Sequence, residues 1–231
     1  MSIINDPEFG EITIRRSALS RSISIRVAPD GTLRASMPSY AGLGSLKHMI
    51  NASRSDIAKL LSQQMSHAPL RSGMTIGKSH TLIISTGKAF AAKLTKNQIA
   101  VTLVNDMSLD DPQTEATLTP YIIKALRQEA KAYLPRRLDY LARENGFTYE
   151  SIRFSHASSR WGSCSSRGTI SLNIALMKLP FELIDYVLLH ELSHLRHMNH
   201  SQSFWSLVEI LDPNYRVHRR TLRTQNPSAY V

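Results

Sequence analysis

Apolar residues in the first hundred positions recur with a period of two. Ile12 and Ile14 alternate with polar neighbours, as do Ile23, Ile25 and Val27, and Pro29-Asp30-Gly31 marks a turn before Leu33-Arg34-Ala35-Ser36-Met37. That period puts successive side chains on opposite faces of a strand, so the stretch predicts an antiparallel hairpin. Between residues 45 and 66 the spacing becomes helical, with Leu46, Met49, Ile50, Ile57, Leu60, Leu61 and Met65 on one side. Strands are expected again over residues 74–77, 80–84 and 98–103. No internal repeat is evident.

Asp110-Asp111-Pro112-Gln113 marks a boundary. Beyond it, Thr119 is placed to cap and Pro120 to open a helix carrying Ile122, Ile123, Leu126, Tyr133 and Leu134. Pro135 is expected to kink or break that helix, and a second segment through Leu138 and Leu141 stops at Asn145-Gly146. Residues 151–163 and 169–176 predict two strands joined around Ser165-Ser166-Arg167-Gly168. Thr169 to Asn173 is the expected free edge, along which an extended peptide can pair. Pro180 then opens a helix with Glu182 and Asp185 near its start and Ile184, Leu188, Leu192 and Leu195 as its buried stripe. The predicted fold class is α+β: a small antiparallel strand-rich unit over residues 1–110, then a helical domain over residues 111–231 with a β-hairpin before its principal helix.

That helix carries His190-Glu191-Leu192-Ser193-His194. Two histidines four apart stand one helical turn from each other on one face, close enough for both imidazoles to reach a single metal ion. Glu191 lies beside them, where a carboxylate can take a proton from an activated water, the arrangement of zinc peptidases. With nine His and nine Glu in the chain, this pattern arises by chance in roughly one such chain in seventy, so its surroundings matter. His200 follows His194 by six residues, the spacing of a third ligand, with His197 where related patterns have glycine. On an unbroken helix His200 would point away, so a third-ligand role predicts a break near Met198-Asn199, with Asn199 left-handed and Ser201 capping a new helix. His197 suits a supporting role behind the ligands, and Glu209 is the alternative third ligand. Arg160, Tyr215 and His218 are candidates to stabilise an oxyanion, and Arg160 packed on Trp161 is equally compatible with a structural brace. Cys164 is expected to be a structural thiol, because three histidines already leave a catalytic zinc its open position.

Arg160-Trp161-Gly162-Ser163-Cys164, His190-Glu191-Leu192-Ser193-His194, Asn199-His200-Ser201 and Phe204-Trp205 together resemble the YgjP-like metallopeptidase family, which is related to SprT-like zinc proteases. Ile14-Arg15-Arg16-Ser17, Ile23-Ser24-Ile25-Arg26-Val27 and Pro29-Asp30-Gly31 extend the resemblance to the N-terminus, while residues 95–118 resemble nothing in it. The resemblance implies a zincin-like domain and a Zn2+-dependent hydrolase with His190, His194 and His200 as ligands and Glu191 as base. It implies no substrate; a polypeptide substrate is expected from the peptidase reading of the motif itself.

Charge adds a second possibility. Residues 1–100 hold 13 Lys or Arg against 5 Asp or Glu, or +8 of the chain's +10. A basic strand-rich unit is suited to nucleic-acid phosphates or acidic protein segments, although dense interleaving of aromatic and basic residues is missing. The alternative to an enzyme is therefore a nucleic-acid- or protein-binding module braced by a structural zinc. One cysteine forms no internal disulfide, and the start of the chain has no basic segment leading into an apolar run. A soluble cytoplasmic protein without membrane spans is expected.

Overall fold

Strand alternation and helical spacing account for most of the elements in the computed structural model, which describes residues 2–27, 32–65, 70–104, 107–109 and 111–227. The chain forms two compact units, Met1–Ala68 and Pro69–Val231. The expected boundary at residues 110/111 lies within the second of these, because the strands between 75 and 103 share their core with the helix that follows.

In the first unit, strands β1 (Ser2–Asp6), β2 (Gly10–Ser17), β3 (Ser24–Val27) and β4 (Leu33–Pro38) form a sheet in the order β1-β2-β4-β3. β3 and β4 are the predicted antiparallel pair; its expected turn at Pro29-Asp30-Gly31 lies outside the described residues. The central pair, β2 with β4, is parallel, so the sheet is mixed. Ile12, Ile14, Leu33, Ala35 and Met37 face a core closed by Leu46 and Ile50 of α1 (Leu43–Ala52) and Ile57 of α2 (Arg54–Met65). The predicted single helix is thus two, divided at Ser53; the side chains of Leu60 and Met65 lie outside the described residues. Arg54 and Arg16 tie segments of this unit together. Arg54 holds Asp6 and Glu8, and Arg16 donates to the carbonyls of Ser39 and Ala41.

The second unit begins with β5 (Thr75–Ile76), β6 (His80–Thr86), β7 (Ala91–Leu94) and β8 (Gln98–Leu103), in the order β5-β6-β8-β7. Outer pairs are antiparallel and the central pair parallel, so the two sheets share one strand order and one set of directions. The sequence shows no such repeat. Ile76, Leu82, Ile99 and Val101 pack on α3 (Pro112–Glu144).

α3 corrects the expectation that it starts at Thr119-Pro120 and breaks at Pro135: it is one helix of 33 residues containing both prolines. Asp111 is its cap, accepting from the backbone N–H groups of Gln113 and Thr114, with Pro112 in the first turn. Thr119 instead donates to the Glu115 carbonyl inside the helix. An interior proline costs about 3 kcal/mol. Leu118, Leu126, Leu134 and Leu138 are each at most 1 % exposed, and burying one such side chain contributes about 1.5–3 kcal/mol. Tertiary packing therefore outweighs both breaks. At the other end the expected stop holds: Gly146 is left-handed, and Phe147 and Gly146 return their N–H groups to Ala142 and Arg143.

After α3 come β9 (Ser151–Ser155), β10 (Gly162–Cys164) and β11 (Thr169–Asn173), then a 3-10 turn (Ile174–Lys178) and helices α4 (Phe181–Ser193), α5 (Gln202–Leu211) and α6 (Tyr215–Arg223). β11 lies between β10, antiparallel, and β9, parallel. The hairpin before the principal helix is present, but Thr169–Asn173 is its central strand; the free edges belong to β10 and β9. Arg137 of α3 donates through Nε and Nη2 to both oxygens of Asp185 in α4, at 2.8 and 2.6 Å. Among the described residues no helix is long and apolar enough to cross a membrane.

One buried carboxylate ties the second sheet to α3. Glu129 accepts from the backbone N–H groups of Lys78, Ser79 and His80 and from His80 Nδ1 at 2.6 Å. Gly77, left-handed in the turn, is required there because a Cβ would collide with that carboxylate. Burial pushes the Glu129 carboxyl up, but the bonds from His80, Lys78 and Ser79 outweigh it and hold the group below its usual range. Its contribution to stability is complete above the unfolded value of about pH 4.3 and is lost as pH falls through the lower folded value. Glu129→Gln is expected to cost about 3 kcal/mol in denaturant unfolding at pH 7 and to flatten the loss of stability below pH 4.3. An unchanged acid limb in the variant overturns this assignment.

Candidate metal centre

α4 is buried on nearly every side before it reaches the site. Ile184, Leu188 and Leu192 are fully buried, as expected, and Leu195 is half-buried just beyond the helix. His190 sits in the last turn and His194 is the residue that ends the helix, so their rings face the same way, with centroids 5.0 Å apart.

The chain turns away earlier than expected, and by other means. Leu195 and Arg196 return their N–H groups to Leu192 and Ser193 three residues back, tightening the final turn before the helix stops. Ser193 Oγ also donates to the Leu189 carbonyl. No non-glycine residue among those described is left-handed, so Asn199 does not make the break. Ser201 does cap α5, accepting from the Phe204 N–H. Arg196 anchors the turn from outside: its Nη2 donates to the carbonyls of Asn145 and Gly146 at the end of α3, and its guanidinium lies 4.2 Å from the Phe147 ring centroid.

This path brings His200 back to the helix. Its Nε2 lies 3.1 Å from His190 Nε2, and one ring nitrogen from each of His190, His194 and His200 falls within 4.8 Å of the others. His194 Nδ1 bonds to the His197 carbonyl at 3.0 Å, which leaves its Nε2 free for the cluster. The support from residue 197 is thus a backbone oxygen. Phe204 packs against all three imidazoles and Trp205 stacks on His200. Burial, with His194, His200 and Arg219 nearby, drives His190 down to about 3, and burial with His194 and Arg219 lowers His200. Both shifts disfavour the cationic forms of His190 and His200, and ring nitrogens of all three histidines converge on one point. A tetrahedral zinc ion with nitrogens at about 2.0–2.1 Å sets them about 3.3 Å apart; the His190–His200 pair at 3.1 Å is close to that spacing, and three imidazole nitrogens are a donor set that suits zinc.

Glu191 lies beside the cluster, 5 % exposed, with Oε2 unpartnered. Its carboxylate rests on the backbone of Gly162 in β10, where a Cβ would come within 2.6 Å of Oε1 and 2.8 Å of Cγ. Burial pushes the carboxyl up to about 8, opposed by the positive charge of Arg160. A dication on the imidazoles acts in the same direction as Arg160. Cys164, two residues along β10, is driven up to about 11 by burial and by Glu191, which makes it a protonated thiol.

A cavity of about 420 Å3 opens beside the imidazoles, lined by Trp161, Gly162, Tyr186, His190, Glu191 and His200, with Trp205, Arg219 and Arg223 completing the wall. Of the residues expected to stabilise an oxyanion, Arg160 is exposed and near enough to act on Glu191, and its carbonyl is held by the buried Asn173 at 2.8 Å. Tyr215 stacks on Trp205 and its hydroxyl accepts from Arg216, whereas His218 Nδ1 is 2.7 Å from Asp212. Neither lines the cavity. Glu209, the alternative third ligand, pairs with Arg216 at 3.2 Å.

Tyr186, Arg219 and Arg223 are among the cavity residues that sequence reasoning missed. Tyr186 precedes His190 by four, so the helical spacing that joins the two histidines also points to it. Arg219 lies four residues after Tyr215 in α6, a spacing with no distinguishing feature among the four arginines of that helix.

The family model for the YgjP-like metallopeptidase domain matches residues 21–225. No curated protein matches the chain. Among solved structures, the chain is similar to the metallopeptidase zymogen of Pyrococcus abyssi abylysin, with 28 % identity over 39 % of this chain and 91 % of that one, at a TM-score of 0.36. Given a match that runs over both units and takes in the histidine cluster, Glu191 and the β10 segment, the chain belongs to the YgjP-like metallopeptidase family.

Proposed function

We propose that this metallopeptidase hydrolyses peptide bonds with zinc held by His190, His194 and His200 and with Glu191 as general base. The observation that carries the reading is the convergence of three imidazoles beside an unpartnered buried carboxylate. Zinc bound there supplies Lewis acidity, lowering the pKa of a water towards about 7 and polarising a carbonyl. Glu191 accepts the proton of the attacking water and then delivers it to the departing amine. Its contact with Gly162 fixes the carboxylate on the side of the helix that faces the cavity.

Tyr186 is proposed as the donor to the developing oxyanion. Burial pushes its hydroxyl up to about 12, with Asp212 and Glu191 adding to the rise and Arg219 and Arg223 opposing it, so it remains a donor at neutral pH. The free edge of β10 is proposed to pair with an extended substrate, since Trp161 and Gly162 lie at the cavity. Against the reading of zinc as a structural brace, the cluster among the described residues has three ligands and adjoins an open cavity, whereas structural sites are closed by a fourth.

Glu191→Gln is expected to bind zinc with unchanged stoichiometry while hydrolysis of unfolded protein falls by at least about 10²-fold. Elemental analysis paired with a digest measures both; turnover in the zinc-loaded variant sinks the role of Glu191.

His200→Ala is expected to weaken zinc binding by more than about 100-fold in chelator competition, and His197→Ala by less than about tenfold, since residue 197 contributes only its carbonyl. The reverse order overturns the ligand set.

Tyr186→Phe is expected to lower kcat by about 10²-fold with KM little changed. A rise in KM alone assigns the hydroxyl to substrate binding and removes it from the oxyanion role.

A further inference from the structure

The wall of the cavity that Glu191 lines also carries two positive charges. Arg219 and Arg223 are four residues apart in α6, so they stand one turn from each other on one face, and both line the cavity. Among the described residues neither has a carboxylate within ion-pair distance. The acids nearest along the chain are occupied: Glu209 pairs with Arg216, and Asp212 accepts from His218 and from the Asn214 N–H. Glu191, the cavity's own carboxylate, is packed against Gly162.

The setting favours recognition over a merely solvated pair. Arg219 lies over Trp205, its guanidinium carbon 4.1 Å from the ring centroid, and Trp205 in turn stacks on His200. The guanidinium is thereby held next to the histidine cluster, with the Trp205 ring between it and His200. Trp161 and Tyr186 supply apolar walls that displace water, and a guanidinium in such surroundings binds a carboxylate through paired N–H bonds.

We propose that Arg219 and Arg223 form a substrate subsite for a carboxylate, so that the enzyme cleaves polypeptides carrying an acidic side chain close to the scissile bond or ending close to it in a free C-terminus. This rests on the reading of the cavity as the seat of a polypeptide substrate. The two sources share one chemistry and differ only in how the substrate enters.

The experiment uses the full-length zinc-loaded protein and short fluorogenic peptides that differ only by Glu against Gln at one position, scanned across the cleaved bond. Each peptide is made as free acid and as C-terminal amide. At one position, or at the free terminus, the carboxylate form is expected to have a kcat/KM at least about tenfold higher, and Arg219→Gln and Arg223→Gln are each expected to bring that ratio below about threefold. General damage lowers both peptides of a pair alike and leaves the ratio intact, so a ratio that persists in both folded variants overturns the subsite. So does a wild-type ratio below about twofold at every position. Arg223→Lys, which keeps the charge and loses the fork, is read in the same way should a Gln variant fail to fold. A parallel titration of the Glu191→Gln protein, followed by indole fluorescence, reads affinity without turnover. Discrimination in that titration with no hydrolysis by the wild type keeps the subsite and discards the peptidase reading. Hydrolysis without discrimination does the opposite.

Discussion

Three imidazoles can be brought to one point here only if the helix that supplies two of them ends at once. His190 and His194 come together through helical spacing alone, but His200 can join them only because the backbone tightens after Ser193 and doubles back within six residues. The fixtures of that reversal are modest and local: the three-residue hydrogen bonds at Leu195 and Arg196, the His197 carbonyl on His194, and the Ser201 cap of α5. Arg196 adds a longer tie to the end of α3. Each is individually worth about 1 kcal/mol, and together they hold three ring nitrogens close enough for one metal ion to reach.

Behind the site, packing overrides local preference. The core of the second unit runs from β5–β8 through α3 to α4–α6 as a single cluster. Within it α3 tolerates two interior prolines because its apolar face is buried along its length. The same core buries α4 so completely that Glu191 shares its dry surroundings, which is why its carboxyl rises while Glu129, equally buried but met by donors, falls.

Spacing along a single element was readable from the sequence. The His190 and His194 pair, the buried stripe of α4, the Ser201 cap and the stop at Gly146 all follow from residues within one or two turns of each other. What was hidden depends on partners distant in the chain. Pro120 and Pro135 read as breaks because the leucines that compensate do so only against other elements. Thr169–Asn173 read as an edge because strand order is set by β9 and β10 on either side of it. Arg219 and Tyr186 carry no motif; they belong to the cavity through the way α6 lies against α4. Asn199 was credited with a bend that ordinary hydrogen bonds produce without a left-handed residue.

The two four-stranded sheets have the same wiring diagram, antiparallel flanks around a parallel centre, although their residues show no visible correspondence. One is covered by α1 and α2 and the other by α3. Identical connectivity from dissimilar residues means that the instructions for it are few: apolar alternation in the central strands, and return segments of suitable length. Such a code is degenerate, since many sequences satisfy it equally. Drift in these strands therefore leaves the architecture standing, whereas the cluster depends on the side chains of His190, His194 and His200 themselves.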